Sequence, residues 1–195
     1  MAKKVLFLCL VSILSASWLF APPSCMAQNA DNPALRTILN NFGARNFASG
    51  QPTRAELDLI IQAGLHAPSA SNRQPWHFTV VQNQALVKLV VPQASDGNVL
   101  IVVSAAADNK TNAGIVLDCA LAVQSIYLAA QALGLGSRIY TGPIDKINSD
   151  YKTDLGLDRN QNAVAVIRIG RLAAGVDAVS SASPRSSADQ KVTYK

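Results

Sequence analysis

Between Thr111 and Leu133 the chain offers a helix with almost no polar face. The run "TNAGIVLDCALAVQSIYLAAQALGLG" keeps helical composition as far as Leu133, and Gly134 marks its C-terminal stop. Only Asp118, Gln124, Ser125 and Gln131 interrupt its apolar residues. A surface helix shows one apolar stripe, whereas a helix apolar on every side must be covered on every side. In a chain of 195 residues such cover calls for a second subunit. Cys119 falls inside this run and reads as a small buried hydrophobe rather than a nucleophile.

The first thirty residues have a different character. Lys3 and Lys4 form a basic start, Val5 to Ala21 is almost wholly apolar, and "PPSCMAQ" follows with small residues. This is the layout of a secretory signal peptide, with cleavage placed after Ala27. Two alternatives stand beside it. Val5 to Ala21 reaches the lower edge of membrane-spanning length, as an uncleaved anchor requires. Acylation on Cys25 is the other, although Pro22 and Pro23 sit where such sites carry an aliphatic residue. The expected organisation is a signal peptide over 1–27 and a single domain over 28–195, exported to the periplasm or another extracytoplasmic space and free of the membrane after cleavage.

Cleavage would remove two of the 17 basic residues and none of the 12 acidic ones, so the formal charge falls from +5 to +3. That balance gives no argument for nucleic acid. Cys9 and Cys25 would leave as well, so Cys119 has no intramolecular disulfide partner and no zinc site can be assembled from cysteines.

The remaining elements follow from local signals. "DNPALRTILNNF" carries an Asp/Asn cap and Pro33 near the first helical position, predicting a helix over 32–42. Thr53 with Glu56 forms a capping box, and Leu57, Ile60, Ile61, Gly64 and Leu65 recur at helical spacing, predicting a helix over about 53–66. "HFTVVQ" reads as a strand, "NQALVKLVV" as a short helix and "NVLIVVSAA" as a buried strand. "SRIYTG" reads as a short strand and turn, "PIDKINSDYK" as a helix begun by Pro143, and 162–170 as a strand whose flanking Arg168 and Arg171 are surface charges. The last 25 residues lose periodicity and read as a loop or an extended arm. Helices around a mixed sheet result, in the α+β or α/β class.

The loop "HAPSASNRQPWHF" over 66–78 is unusually rich for a helix-to-strand connection. Read locally it is a helix-ending turn in which Asn72 bonds its own backbone. Trp76 reads as core, and Arg73 as reaching either solvent or a partner subunit. Together with the buried strand at 98–106 and the ending "LAAQALGLGSRIYTG", this loop resembles the nitroreductase family of flavoenzymes over roughly residues 34–191. The resemblance implies an α+β fold with a central mixed sheet, a long buried helix, and a homodimer holding FMN at the subunit interface. It places Pro68, Ser69, Ala70 and Asn72 against the isoalloxazine and ribityl part of the flavin. Thr141 and Gly142 match the turn whose backbone N–H groups face flavin N5 and O4, and Arg45 and Arg185 match phosphate contacts. Those residue types suit the ligand: arginines offer forked donors to a phosphate, and small residues let backbone approach a flat ring. The chemistry belongs to the cofactor, so no protein catalytic group is required.

The resemblance has departures. The family's basic-rich run after the first helix is here "NFGAR", with Asn41 in place of an Arg and Gly43 in place of a Ser. Losing one charge-assisted contact weakens affinity about ten- to hundredfold without abolishing it. The stretch between Trp76 and Thr111 is also short, leaving little for a substrate lid. The expected activity is a ping-pong transfer of electrons from a reduced small-molecule donor to a quinone, nitroaromatic or similar acceptor. The alternative is a non-catalytic flavin- or small-ligand-binding dimer on a degenerate fold.

Overall fold

The computed structural model describes residues 32–107 and 113–195. The proposed signal segment and the first residues of the long helical run lie outside them. Helix α1 spans Pro33–Leu39 and starts at Asn32, whose side chain accepts from the N–H groups of Ala34 and Leu35. Helix α2 spans Arg54–Leu65 behind the Thr53/Glu56 capping box. Strand β1 (His77–Val81), helix α3 (Gln84–Val90) and strand β2 (Val99–Ala106) follow, then helix α4 (Ala113–Ala132). Gly134 ends α4 with φ +74°, a conformation that favours glycine, and β3 (Leu135–Tyr140) leaves it. The "PIDKINSDYK" segment is only briefly α-helical, as α5 (Ile144–Lys146), and widens into a π-type turn over Ile147–Tyr151. Strand β4 (Gln161–Arg171) and two single turns, α6 (Ala178–Ser181) and α7 (Ala188–Lys191), complete the chain.

The four strands lie in the order β1-β2-β4-β3, and every pairing is antiparallel. The sheet of these residues is therefore antiparallel where a mixed one was expected. The helical crossover through α4 does make β2 and β3 parallel to each other, as both run antiparallel to β4. They never pair, because β4 inserts between them. The two central strands are covered on both faces. One face packs against α2 and α4 through Ile60, Ile101, Val103, Ile126, Ile167 and Ile169. The other packs against α3 and the 144–157 segment through Val87, Leu100, Val102, Ile147 and Val166.

Trp76 is buried and stacks nearly parallel to Phe78, so it anchors the loop it ends. Gly64 lets α2 approach α4 closely, since a Cβ there would lie 2.7 Å from Ile126 Cγ1. Within one chain, however, α4 is not covered all round: Val116, Leu117 and Leu121 remain exposed.

Arg168 is not a surface charge, and Arg171, although part-exposed, is held in an ion pair. Arg168 is 2% exposed, its guanidinium carbon lies 4.0 Å from the Phe47 ring centroid, and its Nε donates to Asn98 Oδ1 at 2.6 Å. Asn98 Nδ2, buried beside it, has no hydrogen-bond partner among the described residues. Arg171 grips Glu56 with two parallel N–H···O bonds of 2.7 Å, tying the end of β4 to the start of α2. Sequence pattern could not show either, because both partners are distant in the chain.

The Arg171 fork, joined by the Thr53 N–H, lowers the Glu56 pKa to about 2. We expect Glu56→Gln to lower stability by about 1–2 kcal/mol near neutral pH, allowing for partial solvent screening. A folded pKa below the unfolded value of 4.5 means the contribution is present above that value and fades as pH falls toward about 2. Thermal unfolding of both proteins from about pH 7 to about pH 3 checks this. The gap should narrow over that window, and a constant gap would refute a charge-based contribution.

Candidate functional site

Two clusters of residues stand out, and they occupy different places in the chain's fold. The first is built on the segment 41–47, which runs beside the free edge of β3. Ala44 N–H donates to the Ser137 carbonyl at 3.0 Å, and Phe47 bridges to Leu172. Gln131, one of the few polar residues of α4, clamps the same segment. Its Oε1 accepts from the Phe42 N–H and its Nε2 donates to the Phe42 carbonyl, both at 3.1 Å. The same Nε2 donates to Ser137 Oγ, which in turn donates to the Tyr127 carbonyl. Phe42, Ala44 and Phe47 bury their side chains, so the intervening Gly43 and Arg45 face outward.

Outward of this segment lies a cavity of about 350 Å³ lined by Arg45, Arg138 and Arg185 together with Asn41, Gly43, Gln124, Tyr127, Ile139 and Ser183. Among the described residues no aspartate or glutamate lines it. Among the described residues none of the three arginines has a carboxylate within ion-pair distance, whereas Arg54, Arg73, Lys88, Lys146 and Arg171 each do. Such a lining favours an anion. The C-terminal arm closes one side, its Arg185 guanidinium donating to the Asn41 carbonyl at 3.5 Å. Burial pushes the Tyr127 hydroxyl above its usual pKa, so it stays neutral, and it donates to Asn41 Oδ1 at 3.4 Å.

The second cluster is the loop after α2. Ala70–Asn72 forms a single tight turn, with Ser71, Asn72 and Gln74 all at positive φ (53°, 55° and 47°). Left-handed backbone at three non-glycine residues persists only where the surroundings hold it. Here Asp118 holds it: its Oδ1 accepts from the Ala70 N–H at 3.0 Å and its Oδ2 from Arg73 at 2.9 Å. Those bonds, the Ala70 N–H foremost, hold the Asp118 carboxyl below the usual range despite burial. Within the chain Arg73 thus pairs with the one acid of α4 while its side chain stays part-exposed. Gln74 N–H donates to Ser69 Oγ and its side chain to Asn72 Oδ1, which leaves Pro68, Ala70 and Asn72 exposed at the loop surface.

The structure therefore brings Arg45 and Arg185 together, but Pro68, Ser69, Ala70 and Asn72 do not line their cavity. Thr141 and Gly142 do not line it either; they are exposed where β3 ends, two and three residues beyond Ile139, which does. By strand rise that separation is about 7–10 Å. Sequence reasoning missed Arg138, Gln131 and Asp118. Asp118 had a signal in being the sole acid of an apolar helix, and Arg138 had none. Cys119 is buried, with its thiol pushed up to about 11 by burial and by Asp118, so it is no thiolate at neutral pH.

The chain is similar to known proteins at the level of family and fold. The family model described as "Nitroreductase family" matches residues 43–98 and 91–171 of the chain. A protein of Archaeoglobus fulgidus named "Putative NADH dehydrogenase/NAD(P)H nitroreductase" is 32% identical over 146 residues, which are 70% of this chain and 83% of that protein. A crystal structure of a nitroreductase with bound FMN from Desulfitobacterium hafniense superposes with TM-score 0.68 at 22% identity, over 84% of this chain and 98% of that one. Another, also with bound FMN, from Bacteroides fragilis gives TM-score 0.67 at 23% identity, over 84% and 99%.

Proposed function

The chain belongs to the nitroreductase family, and from that premise we propose that it is an exported, homodimeric, FMN-dependent oxidoreductase. It takes electrons from a reduced donor in one half-reaction and passes them to a quinone, nitroaromatic or similar acceptor in the next. The observation that carries the reading is the acid-free cavity lined by Arg45, Arg138 and Arg185. FMN fits it by chemistry, for a dianionic phosphate is what converging guanidinium groups are suited to bind.

Each residue then has a task. Arg45 and Arg185 hold the phosphate. Pro68, Ser69, Ala70 and Asn72 supply a small, pre-shaped surface for the flat ring, kept in shape by Asp118. Thr141 and Gly142 offer backbone N–H donors to the ring edge. When bound, FMN supplies the hydride and electron transfer, so no acid or base of the chain is required.

Dimerisation is supported by the apolar side chains that α4 leaves exposed, and by the separation of the loop from the arginine cavity within one chain. A second copy would cover the first and join the two halves of the site. Export rests on residues 1–27, with 28–195 as the single mature domain; fractionation and the mass of the mature N-terminus check it.

The test of function uses the purified mature protein. Flavin absorbance in the visible spectrum as isolated, or FMN uptake by apoprotein in the micromolar range, is expected, with bleaching by NADH or NADPH without oxygen. No flavin binding at all would sink the reading. Flavin that binds but is reduced by no donor would favour the second reading, a non-catalytic flavin-binding dimer, to which Asn41 and Gly43 point.

A further inference from the structure

We propose that Arg138 is a third cation for the FMN phosphate, supplying from β3 the positive charge that position 41 lacks. The proposal rests on the flavin reading above and assigns a binding role that the loop and arm motifs do not contain.

Three observations carry it. Arg138 lines the same cavity as Arg45 and Arg185, although the three come from separate parts of the chain: the segment beside the sheet edge, strand β3 and the C-terminal arm. The placement is fixed by register, since the Ser137 carbonyl accepts from Ala44 N–H and so sets Arg138 next to the segment that bears Gly43 and Arg45. Finally, among the described residues Arg138 lacks a neighbour that would explain it as part of an ion pair. Its cross-strand partner in β4 is Arg168, itself buried against Phe47. Like charges placed opposite each other across a sheet are unfavourable. Among the described residues no carboxylate pairs with Arg138, and its recorded contact is with the Tyr140 ring, 5.5 Å from centroid to guanidinium carbon. A half-buried cation set beside another cation and opening onto an acid-free cavity is explained by an anion that enters that cavity.

The test separates phosphate recognition from flavin recognition. FMN and riboflavin, which share the ring and ribityl chain and differ in the phosphate, are titrated into flavin-free wild type, Arg138→Gln and Arg138→Lys. Wild type is expected to prefer FMN. Arg138→Gln should weaken FMN on the order of tenfold or more while riboflavin changes by less than about twofold, so that the preference shrinks. Arg138→Lys should recover part of it, because it keeps the charge without the fork. Equal weakening of both flavins in Arg138→Gln, or no change in either, would overturn the proposal. Thermal unfolding of the flavin-free variants shows whether a loss is structural, since a merely structural role would lower the melting temperature and both affinities together. Wild type that binds both flavins equally would remove the phosphate site from the proposal while leaving the flavin reading intact. Wild type that binds neither would overturn the flavin reading itself.

Discussion

Replacing Arg45 and Arg185 together with glutamine is expected to weaken FMN binding by a factor on the order of a thousand. Each arginine offers a charge-assisted contact of about 1.5–3 kcal/mol to a phosphate, so two removed contacts amount to about 3–6 kcal/mol, or roughly 10²–10⁴ in affinity. The fold itself should tolerate the change. Both side chains are exposed and neither has a carboxylate partner among the described residues, so no buried group is orphaned. Removing mutual repulsion works in the opposite direction, toward a slightly more stable apoprotein. The measurement is an FMN titration beside thermal unfolding with and without flavin. Wild type should gain melting temperature on adding FMN, and the double variant should gain little at the same concentration, because stabilisation follows the ratio of ligand to Kd. A double variant that binds FMN as wild type does would remove the arginine cavity from the site.

The second large effect is expected at Asp118. This carboxylate is 4% exposed, ties α4 to the loop at Ala70 and Arg73, and holds three non-glycine residues at positive φ. Asp118→Ala leaves the Ala70 N–H without its acceptor and frees Arg73, so the strained turn loses the contact that maintains it. Flavin affinity should fall at least about tenfold, and the melting temperature by roughly 5 °C or more. Asp118→Asn keeps an oxygen for the Ala70 N–H but loses the pairing with Arg73, and it should fall between the two. Because the folded carboxyl sits below its ordinary range, its contribution is present at neutral pH and is lost as pH falls through the folded value. The penalty of Asp118→Ala should therefore shrink in acid. Wild-type affinity and melting temperature in Asp118→Ala would show that the loop holds its own shape.

Much of this was legible in the chain. The Thr53/Glu56 capping box, Pro33, Gly134 and the apolar run at 98–106 each act within a few residues of themselves, and the elements begin and end where they indicate. Burial of Trp76 and Cys119 followed from the same local patterns. The "PIDKINSDYK" segment held its helix only briefly, because that stretch packs against β4, with Asn148 exchanging hydrogen bonds with the Ala163 backbone.

What the sequence determined by itself, then, was which segments are helix or strand and which faces are apolar, and its resemblance to a family pointed to the 66–78 loop and residues 45 and 185 as the place to look for a site. Only the tertiary structure decided that the sheet is antiparallel with β4 between β2 and β3, that Arg168 is buried, and that Glu56 answers Arg171. It alone also placed Asp118 beneath the loop and gathered Arg45, Arg138 and Arg185 around one cavity. The reason is range: caps, turns and periodicity are settled by neighbours in the chain, whereas strand order and the meeting of charges from residues 45, 138 and 185 depend on register and packing between segments far apart in it.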